Sequence, residues 1–231
     1  MLDELRRQVL EANLELVRRG LVIASFGNAS GLARDDGLVV IKPSGVAYGD
    51  LRPEDLVVTD LDGRPVEGRL RPSSDLRTHL ALYRAFPSIG GVAHTHSSFA
   101  TSWAQACREI PCLGTTHADY FRGAVPVTEA MTPGEIDSDY EGNTGQVIVR
   151  RFAALDPCAV PAVLVAGHAP FCWGPSAGEA AHVAIVLEEI ARMAYHTVML
   201  NPDVQPISAP LSEKHFLRKH GPGAYYGQFK L

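Results

Sequence analysis

Apolar positions along this chain repeat with two different periods. At the start they recur every three or four residues, at Leu2, Leu5, Val9, Ala12 and Leu16, which predicts an amphipathic helix stopped at Arg18-Arg19-Gly20. From 21 to 70 the pattern shifts to short β-branched runs: LVIA at 21–24, GLVVI at 37–41 and DLVVT at 55–59. Turn signals at Asp36-Gly37 and Asp62-Gly63 separate these runs, so the stretch predicts strands. Pro72-Ser73-Ser74-Asp75 then opens a helix, with Ser73 or Ser74 as its cap, that ends near Phe86 because Pro87 cannot continue it.

Residues 90–96 read as a buried strand leading into a second helix from about Ser98. After a loop-rich stretch, 147–154 reads as a helix. AVLVA at 162–166 reads as a central strand that ends at Gly167-His168-Ala169-Pro170. The longest helical pattern covers 176–200, with Glu179 in a capping-box position. The tail from 211 to 228 predicts a short basic helix with an aromatic end. Strands lie between helices throughout 1–231, which favours one α/β domain with helices covering a sheet.

Composition narrows the picture only a little. The 231 residues are 46% hydrophobic and 20% charged, an ordinary soluble balance, and a chain of this length buries a sizeable core without staples. A net charge of −5 without a basic stripe argues against nucleic acid, yet it leaves room for a phosphorylated small molecule held by local N–H groups and one lysine. Cys107, Cys112, Cys158 and Cys172 form no C-x-x-C pair and no disulfide framework. They are expected to be reduced thiols, mostly packing residues, in a cytosolic protein. The first twenty residues lack the apolar core of a signal peptide, and no stretch is apolar enough to suggest a membrane span or partner membrane.

His94-x-His96 is the strongest chemical feature. In a strand, residues i and i+2 project to the same side, so both imidazoles face one way, and neutral imidazole is a common ligand for divalent ions. Alone, such a pair is equally compatible with two polar residues at a strand end. His168 changes this, because it stands where an apolar strand leaves the core, where α/β proteins place sites. Three histidines with one open position is the pattern of a catalytic rather than a structural metal site. Asp75, at a helix N-terminus where the dipole favours the carboxylate, is a candidate fourth ligand or base; a plain cap, or a local hydrogen bond to His79 one turn on, is the bland alternative.

Three small-residue loops, Ser25 to Ser30, Lys42-Pro43-Ser44-Gly45 and Pro72-Ser73-Ser74, combine hydroxyls or amides with a glycine or a helix start. Exposed N–H groups in such loops form anion nests, although ordinary turns have the same composition. Neither a dinucleotide fingerprint nor a P-loop is present. Gly114 to Tyr120 (GTTHADY) offers a carboxylate, Asp119, beside a histidine in a loop, and the tail from His215 to Tyr226 adds His215, Arg218, Tyr225 and Tyr226. The tail either packs by its aromatics or reaches an active site, its own or that of a neighbouring subunit.

Taken together, S-x-G-N-x-S at 25–30, IKPSGV at 41–46, RPSSDLRTHLALYRAFPSIGGVAHTHS at 71–97, GTTHADYF at 114–121, VLVAGHAPFCWG at 163–174 and HFLRKHGPGAYYGQ at 215–228 span nearly the whole chain. In these segments the chain resembles the class II aldolase/adducin-head superfamily, and within it the L-ribulose-5-phosphate 4-epimerase branch. Asp75, ADYF and YYGQ resemble that branch, whereas the fuculose-phosphate aldolases are expected to carry Glu in place of Asp75. The resemblance implies a single domain built on a mostly antiparallel sheet covered by helices, in a four-fold homotetramer with active sites between subunits. It implies one divalent ion, zinc above all, with Mn2+ or Co2+ as alternatives, on His94, His96 and His168, with Asp75 near or on it. Phosphate binding would fall to Gly27, Asn28, Ser44, Gly45, Ser73 and Ser74, with Lys42 assisting.

By the same resemblance, Asp119 and Tyr226 would be the acid/base pair, Tyr226 reaching in from the adjacent subunit, with His215 and Arg218 nearby. The implied reaction inverts C4 of a phosphorylated ketopentose, which is not α to the carbonyl, by breaking and re-forming the C3–C4 bond with the metal as Lewis acid. A sugar-phosphate aldolase and a non-catalytic adducin-head-like binding domain are the alternatives. There are two departures from the pattern. H-G-P-F is replaced by His168-Ala169-Pro170-Phe171, where the methyl would tighten the loop if position 169 needs positive φ. Phe229-Lys230-Leu231 come after YYGQ and could alter how the tail docks.

Overall fold

The computed structural model describes residues 2–227. The first helix, α1 (Leu2–Arg18), buries Val9, Ala12 and Leu16 as its periodicity predicts. Its Asn13 amide also pins it to the first strand, β1 (Asn28–Ala33), donating to the Ala29 carbonyl at 3.0 Å and accepting from the Ala29 N–H at 2.9 Å. LVIA at 21–24 is not a strand. Ala24 takes a left-handed φ of 52° and the chain turns before β1 begins. The next two strands, β2 (Leu38–Ile41) and β3 (Val57–Asp60), lie where the β-branched runs predict, while β4 (Pro65–Glu67) follows the Asp62-Gly63 turn without such a run.

Helix α2 (Leu76–Ala85) starts one residue after Asp75, whose side chain makes no capping bond. Next come β5 (Gly91–His94), α3 (Ser98–Gln105) and the short α4 (Thr115–Ala118), so the GTTHADY segment is a helical turn rather than a loop. Within the expected loop-rich stretch lies α5 (Pro133–Ser138), opened by a Thr132/Glu135 capping box. Helix α6 runs over Tyr140–Arg151, seven residues upstream of the predicted start. Its Gly142 and Gly145 mask the helical signal. Gly145 is there for close packing, since a Cβ on it would stand 2.5 Å from Ala81 of α2.

The last elements are β6 (Ala162–Leu164), β7 (Pro170–Gly174), α7 (Ala177–Leu200) and α8 (Ala209–His220). Ser176 caps α7 by accepting from the Glu179 N–H.

Seven strands form one antiparallel sheet in the order β4-β3-β2-β1-β5-β7-β6. The apolar β6 is therefore an edge strand, not a central one. It reads as central because it is fully buried and its open side is covered. Leu164 donates to the Pro126 carbonyl and accepts from the Thr128 N–H, both at 2.9 Å.

Parity decides what each face carries. Gly31, Gly91 and Gly174 lie opposite one another across β1, β5 and β7 and point to the side of α1 and α7. Ser30, Val92 and Trp173, paired across the same strands one residue away, point to the other side. There Ser30 Oγ lies 2.7 Å from both His79 Nδ1 and Tyr83 Oη of α2, and Trp173 packs on Phe86 and Phe152. His94 and Asn28 are directly paired on this second face.

A Cβ at Gly91 would sit 2.2 Å from backbone atoms of Ser176, whereas one at Gly31 would meet only side-chain tips of Leu5 and Val9 at 2.8 and 2.9 Å. Gly91→Ala is therefore expected to cost about 3 kcal/mol or more and Gly31→Ala about 1 kcal/mol, since tips rearrange and backbone does not. Urea titration of the two variants checks the order, and equal losses would sink the argument.

Candidate metal centre and its cavity

Three local structures bring the histidines together. His94 is the last residue of β5, locked by pairing with Asn28 on one side and Phe171 on the other, and its ring stacks on Phe171 at 4.1 Å. His94 Nδ1 donates to the Pro170 carbonyl at 2.9 Å, which leaves Nε2 as a lone-pair donor facing the cluster. His96 lies two residues on, between β5 and α3, with its Nε2 3.1 Å from His94 Nε2. His168 sits in the tight turn joining β6 to β7, closed by bonds from His168 N to the Val165 carbonyl and from Val165 N to the Ala169 carbonyl. The residue with positive φ in that turn is Gly167, at 71°, so the Ala169 methyl meets no backbone strain; it is fully buried.

One ligand atom from each of His94, His96 and His168 lies within 4.8 Å of the others. Two nitrogens on one tetrahedral zinc, each roughly 2.0–2.1 Å from it, stand about 3.3 Å apart, so the spacing fits a divalent ion. The donor set fits too. His168 Nδ1 is buried with no hydrogen-bond partner among the described residues. Burial, with repulsion from His94 and His96, lowers the His168 pKa to about 4, and burial lowers that of His96 as well, so these rings are neutral as ligands must be.

The histidines open into a cavity of about 400 Å³ that also collects the small-residue loops: Gly27, Asn28, Lys42, Ser44, Gly45, Ser73 and Ser74 all line it. Lys42 is only 2% exposed; its Nζ lies 4.6 Å from the Tyr48 ring centroid and donates to the Pro43 carbonyl. Burial lowers its pKa, and among the described residues no carboxylate pairs with it. A buried ammonium without a counter-ion suits an anionic ligand. Gly45 provides the left-handed turn, at φ 71°, beside Ser44.

Asp75 lines the same cavity, but its carboxylate stands outside the three-imidazole cluster and accepts from the Asn28 amide at 2.6 Å. Burial opposes its charge, yet the facing His94 and His79 and the Asn28 bond hold its pKa below the usual range. His79 makes no bond to the Asp75 carboxylate; its Nδ1 meets Ser30 instead.

Sequence reasoning missed Tyr140 and Glu141, which line the cavity from the start of α6. The Tyr140 ring lies 6.1 Å from that of His168. The only signal for them was a helix start hidden by the two glycines.

Asp119, His215, Arg218 and Tyr226 do not line this cavity; they form a second patch, with Asp119 at the end of α4, His215 and Arg218 on α8 and Tyr226 in the tail after it. Arg218 grips the Asp119 carboxylate through Nε at 2.9 Å and Nη2 at 2.6 Å, and His215 Nδ1 adds a bond at 3.0 Å. Against its partial burial, these bonds hold the Asp119 pKa below the usual range. The chain then folds back, so that Tyr225 N and Tyr226 N both donate to the Arg218 carbonyl and the exposed Tyr226 ring faces Arg218 at 4.8 Å and Lys219 at 4.5 Å. His117 is no partner of the Asp119 carboxylate. It is buried and donates from Nε2 to the Gly123 carbonyl at 2.7 Å. Phe229-Lys230-Leu231 lie outside the described residues. All four cysteines are free; Cys112 and Cys172 are packing residues, while Cys107 and Cys158 are exposed.

Comparison with known proteins adds three findings. Residues 7–195 match the family model described as class II aldolase and adducin N-terminal domain. The L-ribulose-5-phosphate 4-epimerase UlaF of Salmonella paratyphi A (strain ATCC 9150 / SARB42) is 54% identical over 227 residues, 98% of this chain and all of that protein. Among solved structures, an L-fuculose 1-phosphate aldolase superposes with a TM-score of 0.78 at 23% identity, over 92% of this chain and 94% of that one. YgbL of Klebsiella pneumoniae superposes at 0.74 and 28% identity, over 93% and 98%.

Burial lowers the pKa of His79 to about 3 and of His117 to about 4. Above pH 6.5 folded and unfolded chains are both neutral at these rings. As pH falls below 6.5, the unfolded chain takes up protons that the folded chain refuses until about pH 4, so stability is lost in that window. For metal-free protein, urea titrations are expected to show a decline of up to about 1.4 kcal/mol per pH unit per histidine, and His117→Gln is expected to remove one histidine's share. An unchanged slope in that variant would refute the assignment.

Proposed function

The chain belongs to the class II aldolase and adducin N-terminal domain family, and from that membership we propose that it is an isomerase converting L-ribulose 5-phosphate to D-xylulose 5-phosphate by inversion at C4. The observation that carries the reading is the meeting, in one cavity, of three imidazoles with a buried unpaired lysine and three small-residue loops. It provides a cation site and an anion site in one space sized for a small phosphorylated sugar.

C4 is not adjacent to the carbonyl, so removing its proton would give no stabilised anion. Breaking the C3–C4 bond gives an enediolate and an aldehyde that carries the phosphate. The aldehyde turns and the bond re-forms on its other face. A divalent ion held by His94, His96 and His168, with Asp75 beside it, supplies Lewis acidity for the charge that cleavage creates. Zinc suits three imidazoles with an open position, and Mn2+ or Co2+ accept the same donors. The lysine and loops, Lys42 with Gly27, Asn28, Ser44, Gly45, Ser73 and Ser74, hold the phosphate so that the fragment turns without leaving. Asp119 takes the C4 hydroxyl proton on one face, and Tyr226 Oη returns one on the other; the proton then passes from Asp119 to the Tyr226 phenolate through solvent, which resets both groups.

The patch carrying Asp119, His215, Arg218 and Tyr226 is not part of this chain's own cavity wall, so the reading needs a neighbouring subunit to bring it there, as in a symmetric homotetramer of a cytosolic enzyme. No described helix is long and apolar enough to cross a membrane.

A coupled assay for D-xylulose 5-phosphate is expected to show activity that chelation abolishes and added Zn2+ restores; activity indifferent to chelation would defeat the metal reading. Asp119→Asn and Tyr226→Phe are each expected to lower kcat by about 10²–10⁴ while metal content is kept. Mixing subunits of His96→Asn and Asp119→Asn, each inactive alone, is expected to recover about a quarter of the sites, since only hybrid interfaces join two intact halves. No recovery on subunit exchange would place both halves in one chain. Net sugar-phosphate synthesis from dihydroxyacetone and glycolaldehyde phosphate is expected to be slow; fast synthesis would make the chain an aldolase.

A further inference from the structure

The three cavity histidines are not held equally. His94 is fixed by the sheet on both sides and by the Pro170 carbonyl. His96 lies outside any strand, and the only side-chain hydrogen-bond partner its ring has among the described residues is His94. Helix α3 begins two residues later, at Ser98. The Ser97 side chain at the N-cap accepts no bond from the helix. That role is filled from a distant part of the chain, 88 and 89 residues away. Glu188, on α7, accepts from Phe99 N through Oε1 and from Ala100 N through Oε2, both at 2.9 Å.

One half-buried carboxylate thus satisfies two of the free N–H groups at the start of α3 and sits against the positive end of its dipole. The other end of α3 reaches the third histidine, because the Ala104 carbonyl accepts from Gly167 N at 2.9 Å, next to His168. Helix α3 is therefore a strut between the two loops that carry His96 and His168.

We propose that Glu188 is a positioning residue for the metal centre: by clamping the start of α3 to α7, it sets where His96 stands and, through the far end of the helix, the turn of His168. The proposal rests on the metal reading of the cavity. Glu188 touches no ligand atom. Its effect runs through backbone bonds, so it alters the geometry and affinity of the site rather than its composition. Loss of an orienting partner of this kind typically weakens metal affinity by about 10–100-fold.

The probe is Co2+ alone, read by its visible spectrum and by competition with a chelator on the full chain. Glu188→Gln keeps the volume but places an NH2 group against one of the two N–H donors. It is expected to bind Co2+ at least about tenfold more weakly and to shift the visible bands, with far-UV circular dichroism unchanged. Glu188→Ala is expected to do more, and where it does not fold, Glu188→Gln carries the test. Leu16→Ala, a truncation of a buried residue in α1 that leaves both Glu188 bonds in place, is the comparison: it is expected to lower Tm while leaving the Co2+ spectrum and affinity as in the parent. Parent-like Co2+ binding by Glu188→Gln with only a lower Tm would overturn the proposal and reduce Glu188 to a structural cap. A parent chain that itself binds neither Co2+ nor Zn2+ would instead bring down the metal reading, and this inference with it.

Discussion

The seating of α7 directly on three glycines of the sheet is the constraint on which the rest of the structure depends. Gly31, Gly91 and Gly174 stand in register on β1, β5 and β7, and a Cβ on Gly91 would lie 2.2 Å from the backbone at Ser176. The helix answers with a small-residue stripe, Ala177, Ala180, Ala181 and Ala184, all buried. At about 1.5 Å per residue its 24 residues run roughly 36 Å, long enough to leave the sheet and carry Glu188 and Ala191 to α3. Ala191 accepts from the Trp103 indole at 3.0 Å and Glu188 caps the helix start, so a contact made at glycines beneath the sheet fixes the element beside His96.

With α1 and α7 closing one face, the polar residues collect at one end of the other. Burying them is costly unless each finds a partner, and most do. Ser30 is shared by His79 and Tyr83, and Tyr48 donates to the Gly27 carbonyl. Three buried atoms have no partner among the described residues and sit in or under the cavity: Asn28 Oδ1, His79 Nε2 and His168 Nδ1. Asn28 shows how the cavity divides its labour. Its amide nitrogen is committed to Asp75 at 2.6 Å and Ser73 at 3.1 Å, and its free oxygen is an acceptor. On the proposed phosphate reading, its side chain would act by orienting Ser73 and restraining Asp75, not by donating to the anion directly.

How much was legible in the sequence depended on whether the signal was local. The meeting of His94 and His96 was legible from their spacing of two, although β5 ends at His94 and His96 lies beyond it rather than on the strand face, and the helices α1 and α7 come from uninterrupted periodicity. His168 was legible as a histidine leaving an apolar strand, although that strand lies at the sheet edge. Its buried, uncharged run records the covering segment at Val127, a long-range contact that periodicity cannot show. Tyr140 and Glu141 were hidden because Gly142, which lies against Asp139, and Gly145, which packs on Ala81, lower helix propensity at the start of α6. His117 was misread as a companion of Asp119 because adjacency in sequence does not say which way a ring points within a helical turn. Glu188 was invisible, since a carboxylate on an amphipathic helix looks like solvated surface until the element it caps is in place.

Asp119 illustrates why the second patch has the form it does. A carboxylate gripped by a bidentate guanidinium and an imidazole stays charged at neutral pH, which favours it as a starting acceptor and makes it a weak one. On the proposed mechanism it gains a proton while Tyr226 gives one up, so a negative charge disappears from one group and appears on the other. Arg218 touches both, binding the carboxylate of Asp119 and lying 4.8 Å from the Tyr226 ring, and Lys219 lies 4.5 Å from the same ring. The charge therefore starts and ends the cycle beside a fixed cation, and between the two transfers it is carried by the enediolate. Two groups leaning on one guanidinium exchange their protonation states with no change, over the whole cycle, in the net charge around it. The start and end states are thus matched in charge, as a reaction that must run the same chemistry forwards and then backwards on the opposite face requires.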